Sequence, residues 1–292
     1  MFEGCYVAMI TDFKDGRVNL DGMRRLARRL IDRGASGLVP AGCTGEAATL
    51  LPNERLEIIQ AVLEERGKAP GVKVVPGTGT NSTASTIELT KMAEDAGADG
   101  VLLITPYYNK PTQAGLVKHY ETVADRVRLP IMLYNVPSRT GVNMLPETVA
   151  TLAKIDNIVA VKEASGSLDQ VSRIAATSDI EILSGDDSLT LPMLAVGARG
   201  VVSVVANVVP DRVSKMVESF RKGRIEDARA AHLKLLDLFH VLFIETNPGP
   251  VKAALEMLGE STGELRLPLV PVADASRQRV RRVLQELGLL RT

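Results

Sequence analysis

The chain has little of the residue types that build disulfide frameworks and metal centres: two cysteines and three histidines in 292 residues. Cys5 and Cys43 are only two and lie on different predicted elements, so we expect neither a disulfide framework nor a thiolate metal site. His119, His232 and His240 fall inside helical patterns without metal-ligand spacing. We therefore expect no metal ion.

Net charge and long apolar segments are also lacking. The 35 basic and 35 acidic side chains cancel, so nothing electrostatic favours nucleic acid or an anionic membrane as a partner. The longest apolar runs, such as Val201 to Ala206, are far too short to span a bilayer. The first residues lack a basic segment before their apolar stretch, so they do not resemble a secretory signal. These features predict a cytoplasmic protein.

What the chain does contain is an alternation of short apolar runs and helical patterns up to about residue 222. Eight such units at roughly 20–35 residue intervals predict an α/β fold, a (β/α)8 TIM barrel. A doubly wound open sheet is the competitor, but no G-x-G-x-x-G motif opens the first unit. Three further helical patterns follow, so we predict a barrel domain over residues 1–222 and a C-terminal helical domain over 223–292.

Lys162 directly follows the apolar run Ile158–Val161. In a barrel, the chemistry lies at the C-terminal ends of the strands. Burial there would lower the pKa of the lysine and leave free amine that can form a Schiff base with a carbonyl carbon. For this residue alone, a solvated loop or a pairing with a carboxylate would be favoured instead.

Other strand ends supply groups that such a lysine needs. The turn Ala41–Glu46 offers backbone amides and the Thr44 hydroxyl for an anion, although a simple glycine turn explains it as well. Tyr134 can offer a phenol and Arg139 can clamp a carboxylate. The pair Tyr107 and Tyr108 is typical of an interface rather than a catalyst. Together these residues indicate a Schiff-base lyase or aldolase that acts on a 2-oxo acid without a cofactor.

Five motifs at these strand ends together resemble those of the dihydrodipicolinate synthase family, which belongs to a wider superfamily of pyruvate-dependent Schiff-base aldolases. They are Gly42-Cys43-Thr44-Gly45-Glu46, Thr105-Pro106-Tyr107-Tyr108-Asn109, Tyr134 to Gly141, Val161-Lys162-Glu163-Ala164 and Leu183 to Asp187. The resemblance covers nearly the whole chain. It implies condensation of pyruvate with L-aspartate 4-semialdehyde in the diaminopimelate route to lysine. The alternatives are a sugar-acid aldolase or lyase of the same superfamily and a barrel that only binds ligands.

The resemblance also implies roles for individual residues. Lys162 would form the imine with pyruvate, and Tyr134 would pass protons. Thr44 would hold the pyruvate carboxylate, and Arg139 the carboxylate of the semialdehyde. The substrate-binding set is completed by Gly185 and by the backbone carbonyl of Val202.

The resemblance further implies that Tyr108 reaches into a neighbouring subunit and completes a proton relay with Tyr134 and Cys43. At least a dimer is then required, and a homotetramer, a dimer of dimers, is expected. Cys43 departs from the family pattern, which has threonine or serine there. A thiol is a weaker hydrogen-bonding group than a hydroxyl, so we expect reduced turnover.

A second departure concerns regulation. Where feedback-inhibited members of the family carry a glutamate and a histidine for bound lysine, this chain has Ser85 and Arg55. Losing an acidic partner and gaining a cation should weaken the binding of a cationic amino acid. We therefore expect weak or absent inhibition by L-lysine, although Asn81 and Tyr107 match the family pattern.

Overall fold

The computed structural model describes residues 2–291, and within them eight parallel strands form a curved sheet. Their residues are mostly apolar and buried, as expected for a parallel sheet covered by helices. The strands are β1 (Gly4–Ala8), β2 (Gly37–Val39), β3 (Lys73–Val74), β4 (Val101–Ile104), β5 (Ile131–Asn135), β6 (Ile158–Glu163), β7 (Glu181–Ser184) and β8 (Gly200–Ser203).

Eleven helices of six or more residues follow or extend this sheet within residues 2–291. Eight belong to the alternating pattern: α1 (Leu20–Asp32), α2 (Pro52–Arg66), α3 (Thr83–Asp95), α4 (Gln113–Ala124), α5 (Pro146–Leu152), α6 (Leu168–Thr177), α7 (Thr190–Ala195) and α8 (Pro210–Arg221). Three more form the C-terminal segment: α9 (Ile225–Val241), α10 (Gly249–Met257) and α11 (Asp274–Glu286).

The sheet closes on itself. Its strand order is β3-β2-β1-β8-β7-β6-β5-β4, and the two edges meet through a parallel bridge between Gly77 and Leu102. The Leu102 amide donates to Pro76 O at 2.9 Å, and the Thr78 amide donates to Leu102 O at 3.1 Å. The predicted (β/α)8 barrel is confirmed, and the carboxyl ends of its strands face one rim.

Prolines mark helix starts accurately, because the missing amide hydrogen costs nothing at the first helical position. Helices Pro52–Arg66 and Pro210–Arg221 both begin at a proline. The sequence interpretation missed a small antiparallel hairpin, Phe13–Lys14 with Arg17–Val18. Its turn residues Asp15 and Gly16 have positive φ, which is typical of such hairpins. In the part of the chain described here, no helix is long and apolar enough to cross a membrane.

Candidate active site

Lys162 lies near the end of β6 with only 5 % of its surface exposed. The preceding apolar residues place the strand in the core and bring the lysine to the rim. Burial lowers the pKa of Lys162 to about 8, although Cys43 and Asp187 favour the charged form. At pH 7 about a tenth of the amine is therefore free, far more than in an ordinary lysine, and this free amine is the nucleophile.

Tyr134 is the register partner of Lys162 on the neighbouring strand β5. The Lys162 Nζ lies 4.1 Å from the centre of the Tyr134 ring. Burial raises the pKa of Tyr134, the neighbouring Cys43 raises it further, and Arg139 acts in the opposite direction. The phenol is thus held protonated beside the amine, in a position to give or take a proton.

Gly185, just after β7, leaves room for the lysine side chain. A Cβ added at this position would lie 3.0 Å from Lys162 Cε and 2.7 Å from Ala164 Cβ. No larger residue fits without moving the lysine or the segment that follows it.

The turn Ala41–Glu46 brings Thr44 and Cys43 to the same rim. Both end residues of the turn, Ala41 and Glu46, have φ of 54°, a costly conformation that the surroundings must hold. Thr44 is buried, and its Oγ1 accepts a hydrogen bond of 3.0 Å from Asn247 Nδ2.

Residues of the C-terminal segment also hold this turn in place. Glu46 Oε1 lies 2.5 Å from the Nζ of Lys252 in a buried ion pair, and Glu46 Oε2 accepts from the Arg266 amide at 3.0 Å. Lys252 Nζ donates in addition to Glu264 O at 2.6 Å.

Arg139 extends from a single-turn helix, Pro137–Thr140, that follows β5. Its side chain is exposed at the rim, and Nη2 donates to Asn247 O at 3.2 Å. Within residues 2–291 the guanidinium therefore has one protein acceptor, and it can bind a carboxylate as well.

Two cavities meet at these residues. The first, of about 480 Å³, contains Lys162, Thr44 and Gly185 in its wall. The second, of about 310 Å³, is lined by Arg55 and Tyr107. Both are bordered by Cys43, Tyr134, Arg139 and Asn247. The first has the chemistry for an imine-forming reaction: an amine, a phenol and groups that hold anions.

The family model described as the dihydrodipicolinate synthetase family matches residues 1–287. The chain belongs to this family. The resemblance drawn from the sequence is therefore confirmed.

Relatives and solved structures of the family agree over nearly the whole chain. A 4-hydroxy-tetrahydrodipicolinate synthase from Geobacter metallireducens is 49 % identical, with 99 % of this chain and 100 % of the relative covered. The crystal structure of dihydrodipicolinate synthase from Thermotoga maritima is 44 % identical, has a TM-score of 0.97, and covers 99 % of this chain and 100 % of its own. A monomeric dihydrodipicolinate synthase variant is 43 % identical with a TM-score of 0.97, over 99 % of this chain and 98 % of its own.

Two residues assigned from the family resemblance lie away from both cavities of this subunit. Tyr108 is 88 % exposed and has φ of 73°. Val202 is buried in β8, where it pairs with Tyr6, and Val204 lines the larger cavity instead. The roles given to Tyr108 and Val202 stay predictions.

The sequence interpretation missed Asn247 and Asp187 as parts of this dihydrodipicolinate synthetase site. Asp187 is buried; its carboxylate accepts from Ser203 Oγ and from the amides of Val204 at 2.9 Å and Val205 at 3.1 Å. Burial raises the pKa of Asp187 to about 6. The signal for Asn247 was a polar residue within the proline-rich run 246–250, but only the fold brings that run to Thr44.

Proposed function

We propose that the chain is a 4-hydroxy-tetrahydrodipicolinate synthase that condenses pyruvate with L-aspartate 4-semialdehyde. The observation that carries the proposal is the buried Lys162 beside Tyr134, in a chain of the dihydrodipicolinate synthetase family whose relatives bear this name. The reaction belongs to the diaminopimelate route to lysine, and we place the protein in the cytoplasm.

In this proposal the free amine of Lys162 attacks the C2 carbonyl of pyruvate, water leaves, and an iminium forms. Loss of a methyl proton gives an enamine, whose carbon attacks the aldehyde of the second substrate. The amino group of that substrate then closes the ring at C2 and displaces Lys162. Tyr134 moves protons in these steps, and neither a metal ion nor a cofactor is required.

Carboxylate groups on both substrates need cationic or hydrogen-bonding partners. Thr44, held by Asn247, is placed to receive the pyruvate carboxylate with neighbouring backbone amides. Arg139 receives the semialdehyde carboxylate, for which a guanidinium offers two parallel hydrogen bonds. Gly185 lines the same cavity and completes the substrate contacts.

We further propose that Tyr108 of the partner subunit completes the relay with Cys43 and Tyr134, which makes a dimer the smallest active unit and a dimer of dimers the expected assembly. The exposed Tyr108 ring and the mainly apolar 310 Å³ cavity beside Cys43 support this arrangement. Mixing two inactive variants, Tyr108→Ala and Lys162→Ala, tests it. Restored activity in mixed oligomers is expected, and no restoration from oligomers shown to be mixed would refute it.

Substrate identity is tested by NMR with carbon-13-labelled pyruvate and L-aspartate 4-semialdehyde. Appearance of the cyclic product is expected. In parallel reactions, 2-keto-3-deoxygluconate and N-acetylneuraminate are supplied as substrates and the release of pyruvate is measured. Efficient cleavage of either one, without condensation of the semialdehyde, would establish the sugar-acid aldolase alternative and overturn the proposal.

A further inference from the structure

Behind the paired Lys162 and Tyr134 lies a second pair of side chains. Glu163 and Asn135 are the next residues on β6 and β5, and they are register partners as well. Because successive side chains of a strand point to opposite faces, Glu163 and Asn135 point away from the face that carries Lys162 and Tyr134. Both are buried. A buried polar pair therefore lies directly behind the reacting pair.

The Glu163 carboxylate is surrounded by hydrogen-bond donors. Asn135 Nδ2 lies 3.1 Å from Oε2 and 3.3 Å from Oε1, and the Ser165 amide donates to Oε1 at 2.7 Å. Gln170 Nε2, on α6, donates to Oε2 at 3.2 Å. All three donors are neutral, and a carboxylate is costlier to bury than a neutral side chain. The carboxylate therefore indicates that strong acceptors are needed at this position.

Asn135 extends the network to the segment that follows β5. Its Nδ2 donates to Asn143 Oδ1 at 2.8 Å, and its Oδ1 accepts from the Met144 amide at 2.9 Å. Asn143 and Gln170 exchange two further hydrogen bonds, of 2.8 Å and 3.1 Å. Both polar side-chain atoms of Asn135 and both oxygens of Glu163 are thereby used, and a satisfied network of this kind holds its members in one geometry.

We propose that the hydrogen bonds between Glu163 and Asn135 position the Lys162 amine against the Tyr134 phenol, so that both residues are positioning residues for imine formation. They would act through the strands rather than by touching the substrate. The Ala164 amide donates to Asn135 O at 2.9 Å, which ties the segment directly after the nucleophile to the strand that carries the phenol. The proposal rests on the proposed function.

Single-turnover imine formation with pyruvate, quenched rapidly with borohydride, tests the proposal. Glu163→Gln keeps the shape of the side chain but turns one acceptor oxygen into a donor that meets another donor. We expect the plateau rate at high pH to fall about 10- to 100-fold, because a displacement of about 1 Å can cost that much in a preorganised site. Asn135→Asp sets two carboxylates against each other and should cause a loss at least as large.

The double variant that combines Glu163→Gln with Asn135→Asp reverses the roles of the pair. The new amide at position 163 can donate to the new carboxylate at position 135. The amides of Asn143 and Gln170 can turn over, so that their hydrogen bonds run in the opposite direction. We expect the double variant to recover most of the rate that each single variant loses. A double variant as slow as the slower single variant would overturn the proposal.

Gln113→Ala is the matched control for a loss of stability. Gln113 Nε2 donates to Asn143 O at 2.8 Å, and Oε1 accepts from Thr148 Oγ1 and from the Leu145 amide. Its removal therefore loosens the same segment and leaves the bonds between β5 and β6 in place. Thermal unfolding should show a loss of stability in Gln113→Ala, while its plateau rate stays close to that of the wild type. If Glu163→Gln lost no more rate than Gln113→Ala, the network would only stabilise the fold.

The pH profile of the same reaction separates positioning from an electrostatic effect on the lysine. Cys43, Asp187 and Arg139 act on the pKa of Lys162, whereas Glu163 points to the opposite face of β6. Glu163→Gln should therefore lower the plateau without moving the midpoint. A shifted midpoint with an unchanged plateau would refute positioning.

The wild type separates a failure of this proposal from a failure of the function on which it rests. A wild type that forms no adduct with pyruvate would refute both. A wild type that forms the adduct, with Glu163→Gln reacting at the wild-type rate, would refute only the role of Glu163 and Asn135.

Discussion

Tyr134 and Lys162 are paired on neighbouring strands, with the Lys162 Nζ 4.1 Å from the centre of the phenol ring. The ring face attracts the ammonium form, whereas burial disfavours it and holds the pKa of Lys162 at about 8. The same aromatic residue therefore packs against the nucleophile and presents a hydroxyl for proton transfer.

Tyr134→Phe separates these two contributions, because it keeps the ring and removes the hydroxyl. We expect kcat to fall about 10²-fold or more, the usual effect of losing a general acid–base group. Trapping of pyruvate on Lys162 should slow without disappearing, since the amine remains. Steady-state turnover and the rate of adduct formation measure the two effects, and an unchanged kcat would remove Tyr134 from the proton relay.

The pH dependence of imine formation should follow the free amine of Lys162. Its pKa is lowered from 10.5 to about 8, so the single-turnover rate should rise with pH and level off above about 8. Asp187 favours the ammonium form, so Asp187→Asn should move this plateau to lower pH. Ser203→Ala keeps the carboxylate and removes one of its hydrogen bonds. A similar shift in both variants would show that packing rather than charge is responsible.

Cys43→Thr should raise kcat. Cys43 acts on Tyr134, whose pKa it raises, and a hydroxyl both donates and accepts hydrogen bonds more strongly than a thiol. Cys43→Ser is the matched control and should change kcat in the same direction. If Cys43→Thr left turnover unchanged or lower, the thiol would not be what slows this enzyme.

Gly185→Ala should displace Lys162, because the added methyl group would lie 3.0 Å from Lys162 Cε. We expect a loss of trapped pyruvate adduct larger than the loss of thermal stability would explain. Gly71→Ala is the control, since nothing lies within 4 Å of its added Cβ. Equal adduct yields from the two variants, measured by intact mass, would contradict the tight fit at Gly185.

Inhibition by L-lysine should be weak or absent. Arg55 lines the 310 Å³ cavity beside Tyr107, and its guanidinium donates to the carbonyls of Ala41, Gly77 and Ala47. A second cation is disfavoured there. Inhibition kinetics will test this. Ser85→Glu should make inhibition by L-lysine stronger, because it adds a carboxylate. A low-micromolar inhibition constant for the wild type would contradict it.

Local signals in the sequence were enough to predict the barrel and most of the candidate site. Buried parallel strands appear in the sequence as runs of apolar residues, and the residues of the rim follow these runs directly. Lys162, Tyr134 and Thr44 could therefore each be found from one segment. The hairpin at Phe13–Val18 has strands of two residues each, too short to show a period.

The contribution of the C-terminal segment could not be predicted in this way. Asn247 and Lys252 reach the turn Ala41–Glu46 from about 200 residues away, and no local pattern encodes that approach. The predicted division between residues 222 and 223 stays a prediction. The contacts nevertheless show that the segment after residue 222 helps to build the site.

Incubation with pyruvate and borohydride, followed by peptide mass analysis, tests the central claim most directly. The account predicts a single reduced adduct on Lys162 that is absent from Lys162→Ala. A protein with no adduct, or with its adduct on another lysine such as Lys252, would contradict the imine mechanism.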